Sequence, residues 1–220
     1  MTKAVGRVPQ RQNARSNRAR ILATAREKLG ADPDITLEEL ARASGVVRRT
    51  LFGHFPGRAA LLEALADEAS EALLAALPDG ARSEESAERA LAHFVFAIWP
   101  LGDRYRMLLA RGRRELSAER VAAILGPARS EVAGILERGQ REGVFPGHLP
   151  PAVLGFGLEA MHFALLEEIH AGAMENDEAR VAVATLIAAG VPEERARAVV
   201  DDIGRSPAEG PAVERNRAEG

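Results

Sequence analysis

Along this 220-residue chain the apolar residues recur three and four positions apart, and no run alternates them with polar ones as a half-buried strand would. Stripes with that single period can be buried only helix against helix, so an all-α fold is expected. Residues 1–13 are polar, with Gly6 and Pro9, and read as a flexible arm. From Ala14 onward Ile21, Leu22, Ala25 and Leu29 share one helical face, until Gly30-Ala31-Asp32-Pro33-Asp34 interrupts it. Thr36, with Glu39 three residues on, forms a capping box that opens a helix over 37–43. Ser44-Gly45 closes that helix, a second short one spans 47–54, and Pro56 stops its continuation. A longer helix then begins at Arg58, with Leu61, Leu62, Leu65, Ala69, Leu73 and Leu77 in one stripe, and ends at Pro78-Asp79-Gly80.

The same period predicts helices over 83–99, 104–116 and 118–142, the last kinked or restarted at Gly126-Pro127. Two late helices follow over 152–170 and 176–189, and a final one reaches about residue 203. Residues 204–220 have almost nothing to bury and read as a disordered tail. With 46% hydrophobic residues the chain can still build a sizeable core.

Charge divides the chain unevenly. Residues 1–60 hold 12 basic and 5 acidic residues, whereas the rest holds 17 and 27. An overall charge of −3 therefore hides a basic head of +7 and an acidic remainder of −10. Such a division fits one part that meets a polyanion and another that does not.

The segment 36–58 gives that polyanion an identity. Gly45 supplies the left-handed turn between two short helices, and Leu40, Ala41, Val46 and Leu51 fall where steeply crossing helices must touch. Arg48, Arg49, Thr50, Phe52 and His54 are left on the outside of the second helix. Arginine forks read guanine O6 and N7, and threonine meets a phosphate or a thymine methyl, so this is a composition suited to a major groove. On an isolated helix the same residues would be a solvated face.

These residues, from Arg18-Ala19-Arg20-Ile21-Leu22 through Thr36-Leu37-Glu38-Glu39-Leu40-Ala41 and Gly45 to Arg58, then Ala60-Leu61-Leu62, resemble the tetracycline-repressor (TetR) family of bacterial transcriptional regulators. The resemblance covers residues 14–65. It implies a helix-turn-helix DNA-binding domain over 14–57, with residues 58–77 as a linking helix into an effector-binding and dimerisation domain that extends to 203. It places phosphate contacts on Thr36, Phe52, His54 and Arg58, and base reading on Arg48, Arg49 and Thr50. Two positions depart from the family pattern. Phe52 stands where tyrosine is usual, which removes a hydroxyl-to-phosphate bond. Val47 stands where Ser or Pro often opens the recognition helix, and could itself touch a thymine methyl. The implied partners are double-stranded DNA with a palindromic operator, a small-molecule effector and a second copy of the chain, paired through the helices over 152–170 and 176–189.

Seven of the nine aromatics fall beyond residue 90, together with Met107 and Met161. Most would serve as core. The resemblance implies a pocket among these helices, and Phe94, Ile98, Trp99, Met107, Met161, His162 and Leu165 are the candidate lining, around a container of at least about 300 Å³. Trp99, just before Pro100, is expected at a helix end near the pocket mouth.

Other signals exclude more than they assert. Gly155-Phe156-Gly157-Leu158-Glu159-Ala160 spells GxGxxA but follows Pro150-Pro151 rather than a strand, so no dinucleotide cofactor is expected. The later histidines make no HxxxH pair, the chain has no cysteine, and no metal site is expected, His162 with Glu159 being the nearest approach. No nucleophile elbow or P-loop appears, so an enzyme is not expected. No leader or membrane-spanning run is apparent, and a cytoplasmic location is the default. Two other readings stay open: a ligand-independent DNA-binding dimer of the same fold, and an all-α protein-interaction module that docks through its N-terminal helices.

Overall fold

A computed structural model describes residues 7–32, 34–77 and 85–205, with only the backbone described for 7–12 and 106–115. Among the described residues every regular element is helical: α1 (Arg7–Ala31), α2 (Leu37–Ala43), α3 (Arg48–His54), α4 (Arg58–Ala76), α5 (Ala87–Glu115), α6 (Ala118–Arg141), α7 (Pro151–His170), α8 (Glu178–Ala188) and α9 (Glu193–Arg205). No helix among the described residues is long and apolar enough to cross a membrane.

Three boundaries differ from expectation for physical reasons. Helix α1 starts at Arg7, so residues 7–13 are helical rather than an arm. Pro9 falls in the first turn, where its missing N–H would have had no intrahelical acceptor. The two segments expected over 83–99 and 104–116 form one helix, α5, which passes through Pro100. A proline inside a helix costs about 3 kcal/mol. Phe94, Val95 and Trp99 before it and Tyr105 after it are all buried, and each such burial contributes about 1.5–3 kcal/mol, so a continuous helix wins. Helix α6 likewise continues through Pro127. At the far end α9 takes in Gly204 and Arg205, while the expected disordered segment from 206 on lies outside the described residues.

The core forms two clusters. In the head, Ile21, Leu22 and Ala25 of α1 meet Leu40 and Ala41 of α2, Leu51 and Phe55 of α3, and Leu61 and Leu65 of α4. Tyr105 of α5, Leu116 between α5 and α6, and Ile124 of α6 complete this cluster. The body cluster joins Leu91, Val95 and Trp99 of α5 to Val132 and Leu136 of α6, Leu158 and Leu166 of α7, and Val181 and Leu186 of α8. Helices α5 and α6 approach closely at Gly139, where a Cβ would lie 2.9 Å from that of Ala87 and overlap the Phe145 ring. Gln140 pins the loop that follows, donating to the carbonyls of Pro146 and Leu149.

Helix α7 buries one face and leaves the other apolar. Val153 and Phe156 are half exposed, and Gly157, Ala160 and Ala164 lie on the same outward side. Ile187 of α8 is also exposed.

Candidate nucleic-acid interface and cavity

The head presents α3 through a tightly specified turn. Thr36 caps α2 in a reciprocal box: its hydroxyl oxygen accepts from the Glu39 N–H, and the Glu39 carboxylate accepts from the Thr36 N–H at 2.9 Å and hydroxyl at 2.7 Å. These bonds hold the Glu39 carboxyl below the usual carboxylate range. At the far end of α2 the buried Ser44 hydroxyl donates to the Leu40 carbonyl, and Gly45 takes φ of 66° to turn the chain into α3. Arg20 of α1 locks the turn by donating from Nε to the Ser44 carbonyl at 2.9 Å.

Seven of the eight expected DNA-contacting residues share the outer surface of this unit, and the eighth braces it. Val47 is 69% exposed and caps α3 with no side-chain hydrogen bond. Arg49 is exposed and makes no ion pair or hydrogen bond among the described residues. Arg48 is also exposed but engaged: it pairs with Glu38 at 3.0 Å and lies over the Phe52 ring at 5.1 Å. Thr50, Phe52 and His54 are half-buried along the same helix, and Thr36 is exposed at the start of α2. Arg58 donates from Nη1 to the carbonyl of Ile35 at 3.1 Å, tying the start of α4 to the residue before the α2 cap.

The body holds a partly open cavity of about 120 Å³ between α4, α5, α6, α7 and α8. Of the candidate lining residues, Phe94, Ile98, Trp99 and His162 lie on its wall, whereas Met161 and Leu165 do not. On α7 the cavity face runs through Gly155, Leu158, Glu159, His162 and Leu166, and Met161 and Leu165 project from its flank into partly buried packing. The side chain of Met107 lies outside those described. Trp99 is mid-helix and 3% exposed, so it forms a wall and not the rim of a mouth. The cavity is also smaller than the roughly 300 Å³ expected.

Few polar groups face this space. Trp99 donates its indole N–H to Asn176 Oδ1 at 2.8 Å and meets the His162 ring edge-on at 6.0 Å. His162 Nε2 is 2.7 Å from the hydroxyl of the fully buried Thr185. Burial pushes His162 down to about 4, against a weaker opposite pull from Glu159, so the ring is neutral at pH 7. Glu159 receives both Nε and Nη2 of Arg129 at 2.7 Å, and this pairing raises the pKa of Arg129.

Tyr105 links the cavity to the head by a hydrogen bond. Tyr105 donates its hydroxyl to Glu68 of α4 at 2.8 Å, and Glu68 also pairs with Arg26 of α1. Burial first and the Glu68 carboxylate second push the Tyr105 pKa up, so it remains a donor. Sequence reasoning missed Tyr105, Thr185, Arg129 and Glu159 as cavity residues. Only the Glu159–His162 spacing on one helix carried a signal.

A basic α3 projecting from a capped helix-turn-helix, on an all-helical body with an internal cavity, defines a DNA-binding regulator fold. Residues 21–65 match the family model described as bacterial regulatory proteins, tetR family. This head is thus similar to the DNA-binding segment of TetR-family regulators. Solved structures extend the likeness of fold over most of the chain. A TetR-family transcriptional regulator from Rhodococcus sp. is 20% identical, with 79% of this chain and 96% of that one covered and a TM-score of 0.64. LfrR from Mycobacterium smegmatis, solved with proflavine, is 23% identical over 77% and 92%, with a TM-score of 0.61. FadR from Bacillus subtilis, solved with stearoyl-CoA, is 15% identical over 78% and 97%, with a TM-score of 0.62. No curated protein sequence matches the chain.

Proposed function

We propose that the protein is a ligand-responsive transcriptional repressor: a homodimer that binds a palindromic operator through α3 and releases it when a small, mostly apolar effector enters the body cavity. The observation that carries this reading is the double duty of Tyr105 and Ile124, which line the cavity and also belong to the head's core. Tyr105 adds a hydrogen-bonded path through Glu68 to Arg26 of α1. A ligand in the cavity therefore presses on residues that set the head's position, and it shifts DNA affinity by the difference in its affinity for the two arrangements.

On DNA, Arg49 is the readiest base reader, and Arg48 joins it by exchanging Glu38 for a base edge or phosphate. Thr50 and Val47 face the groove, Thr36, Phe52 and His54 meet the backbone, and Arg58 acts by fixing the angle between α2 and α4. The exposed Val153, Phe156, Ala160 and Ile187 pair with a second copy as a four-helix bundle. The protein acts in the cytoplasm, where its operator lies. The LfrR and FadR structures hold proflavine and stearoyl-CoA, so this fold accommodates organic ligands of very different size. The modest volume of the cavity favours a second reading, in which the body only dimerises and DNA binding is constitutive.

The test is operator selection from genomic fragments, followed by binding of the selected site to wild type and to Ala128→Leu, a substitution that fills the cavity wall. The sensor reading expects a small molecule that releases DNA from wild type and not from the filled variant. Release that is identical in both proteins removes this cavity from the effector role, and no release across a chemically broad screen leaves the constitutive dimer.

A further inference from the structure

The hydroxyl proton of Thr185 determines what the cavity asks of its ligand. That hydroxyl has one proton and donates it to the Val181 carbonyl four residues back, at 2.8 Å. Its lone pair must therefore accept from His162, which makes Nε2 the protonated nitrogen of the ring. In a neutral imidazole the other nitrogen, Nδ1, is then an acceptor, and no described residue hydrogen-bonds it. Meanwhile the neutral donors on the cavity wall are already engaged: the Trp99 N–H on Asn176 and the Tyr105 O–H on Glu68. The Arg129 fork faces Glu159, so an anionic ligand would have to displace a carboxylate that already fits.

Size supplies the second constraint. An apolar cavity of about 150 Å³ takes a benzene ring, and this partly open one measures about 120 Å³. We propose that the ligand of this cavity is a neutral, one-ring compound carrying a hydroxyl group, which donates its proton to Nδ1 of His162 while the ring packs against Trp99, Phe94 and Leu158. This inference rests on the reading of the cavity as the effector site and adds the chemistry of that effector.

Three probes of similar size separate the possibilities in calorimetric titrations of the full-length protein: phenol, toluene and benzoate. Phenol should bind about tenfold more tightly than toluene, the size of effect expected for one hydrogen bond to a waiting acceptor, and benzoate should not compete. In His162→Phe, which keeps a ring and loses the acceptor, phenol and toluene should bind alike. Equal binding of phenol and toluene to wild type, or tighter binding of benzoate, overturns the hydroxyl assignment while leaving the cavity as a ligand site. A phenol preference that survives in His162→Phe removes His162 from the role. If none of the three binds wild type up to about 10 mM, the inference fails together with the container reading. The wild-type comparison decides the hydroxyl assignment even if the variant does not fold.

Discussion

Acid should destabilise this protein through His162 in a way that one substitution removes. The ring is neutral in the fold, with its pKa pushed down to about 4 by burial, against 6.5 for an unburied histidine. Because the folded value lies below the unfolded one, the unfolded chain takes up the proton first as the pH falls. The stabilising effect of keeping the ring neutral is therefore complete above pH 6.5 and is lost as the pH falls towards 4. Each pH unit between those values is worth 1.36 kcal/mol, so the whole gap is about 3 kcal/mol. Integrated from pH 7.5, the loss is about 1 kcal/mol by pH 5.5 and about 2.5 kcal/mol by pH 4.5. The assay is urea unfolding followed by far-ultraviolet circular dichroism at these three pH values, for wild type and His162→Gln at equal protein concentration. Glutamine retains an N–H for Thr185 and cannot titrate. Every other acid-sensitive group is common to both proteins, so the stability difference between them should shrink by those amounts as the pH falls. Parallel pH profiles would refute the buried, neutral ring.

Three further outcomes are expected. Arg49→Ala should cost about 1–3 kcal/mol on the operator and much less on random DNA, whereas Arg58→Ala should weaken both alike; equal losses for Arg49→Ala remove it from base reading. Tyr105→Phe should lower unfolding free energy by about 1–3 kcal/mol, the worth of a hydrogen bond to a charged acceptor, and should blunt effector-driven DNA release while tightening ligand binding, since the ligand no longer has that bond to break; undiminished release breaks the proposed path. Phe156→Glu should convert a dimer into a particle near 23.5 kDa in light scattering, and a dimer that persists places the interface elsewhere.

The head was legible because its determinants are local. Thr36 and Glu39 are three residues apart and Gly45 sits at the turn, so spacing alone placed α2 and the start of α3. The body was legible as helices and much less so as a site. Pro100 looked like a stop because a sequence displays the cost of a helical proline, while the burial of Trp99 and Tyr105 that outweighs it arises only in the folded chain. Met161 and Leu165 had the right chemistry and the wrong phase: which face of α7 looks inward depends on where α6 and α8 pack. Thr185 was invisible as a polar partner because His162 lies 23 residues away on another helix. Glu68 and Tyr105, 37 residues apart, gave no sequence cue for the same reason.

The placement of charge around α4 suits a lever more than a brace. Near the start of α6, Arg120 reaches Glu63 at 2.9 Å and also pairs with Asp67, one turn further along α4. Both acidic partners are largely exposed, so this fork adds little to global stability. Its effect is geometric, because a planar guanidinium spanning two carboxylates one turn apart fixes the register of α6 on α4. Four residues after Arg120, Ile124 extends from the same helix into the core shared with the head and onto the cavity wall. An occupant that displaced Ile124 would thus move α6 with its fork attached, and α4 would follow, because close-packed interiors transmit displacement and do not absorb it. On the other side of α4, Glu68 holds Arg26 of α1 and receives the Tyr105 hydroxyl, so the same movement strains or releases a second link. Allosteric coupling of about 1–3 kcal/mol changes affinity 5- to 150-fold, and loss of a single charged hydrogen bond such as Tyr105–Glu68 has that magnitude. A ligand of one ring therefore need not reorganise the body to change how the head meets DNA. It has only to favour the arrangement in which that bond is broken.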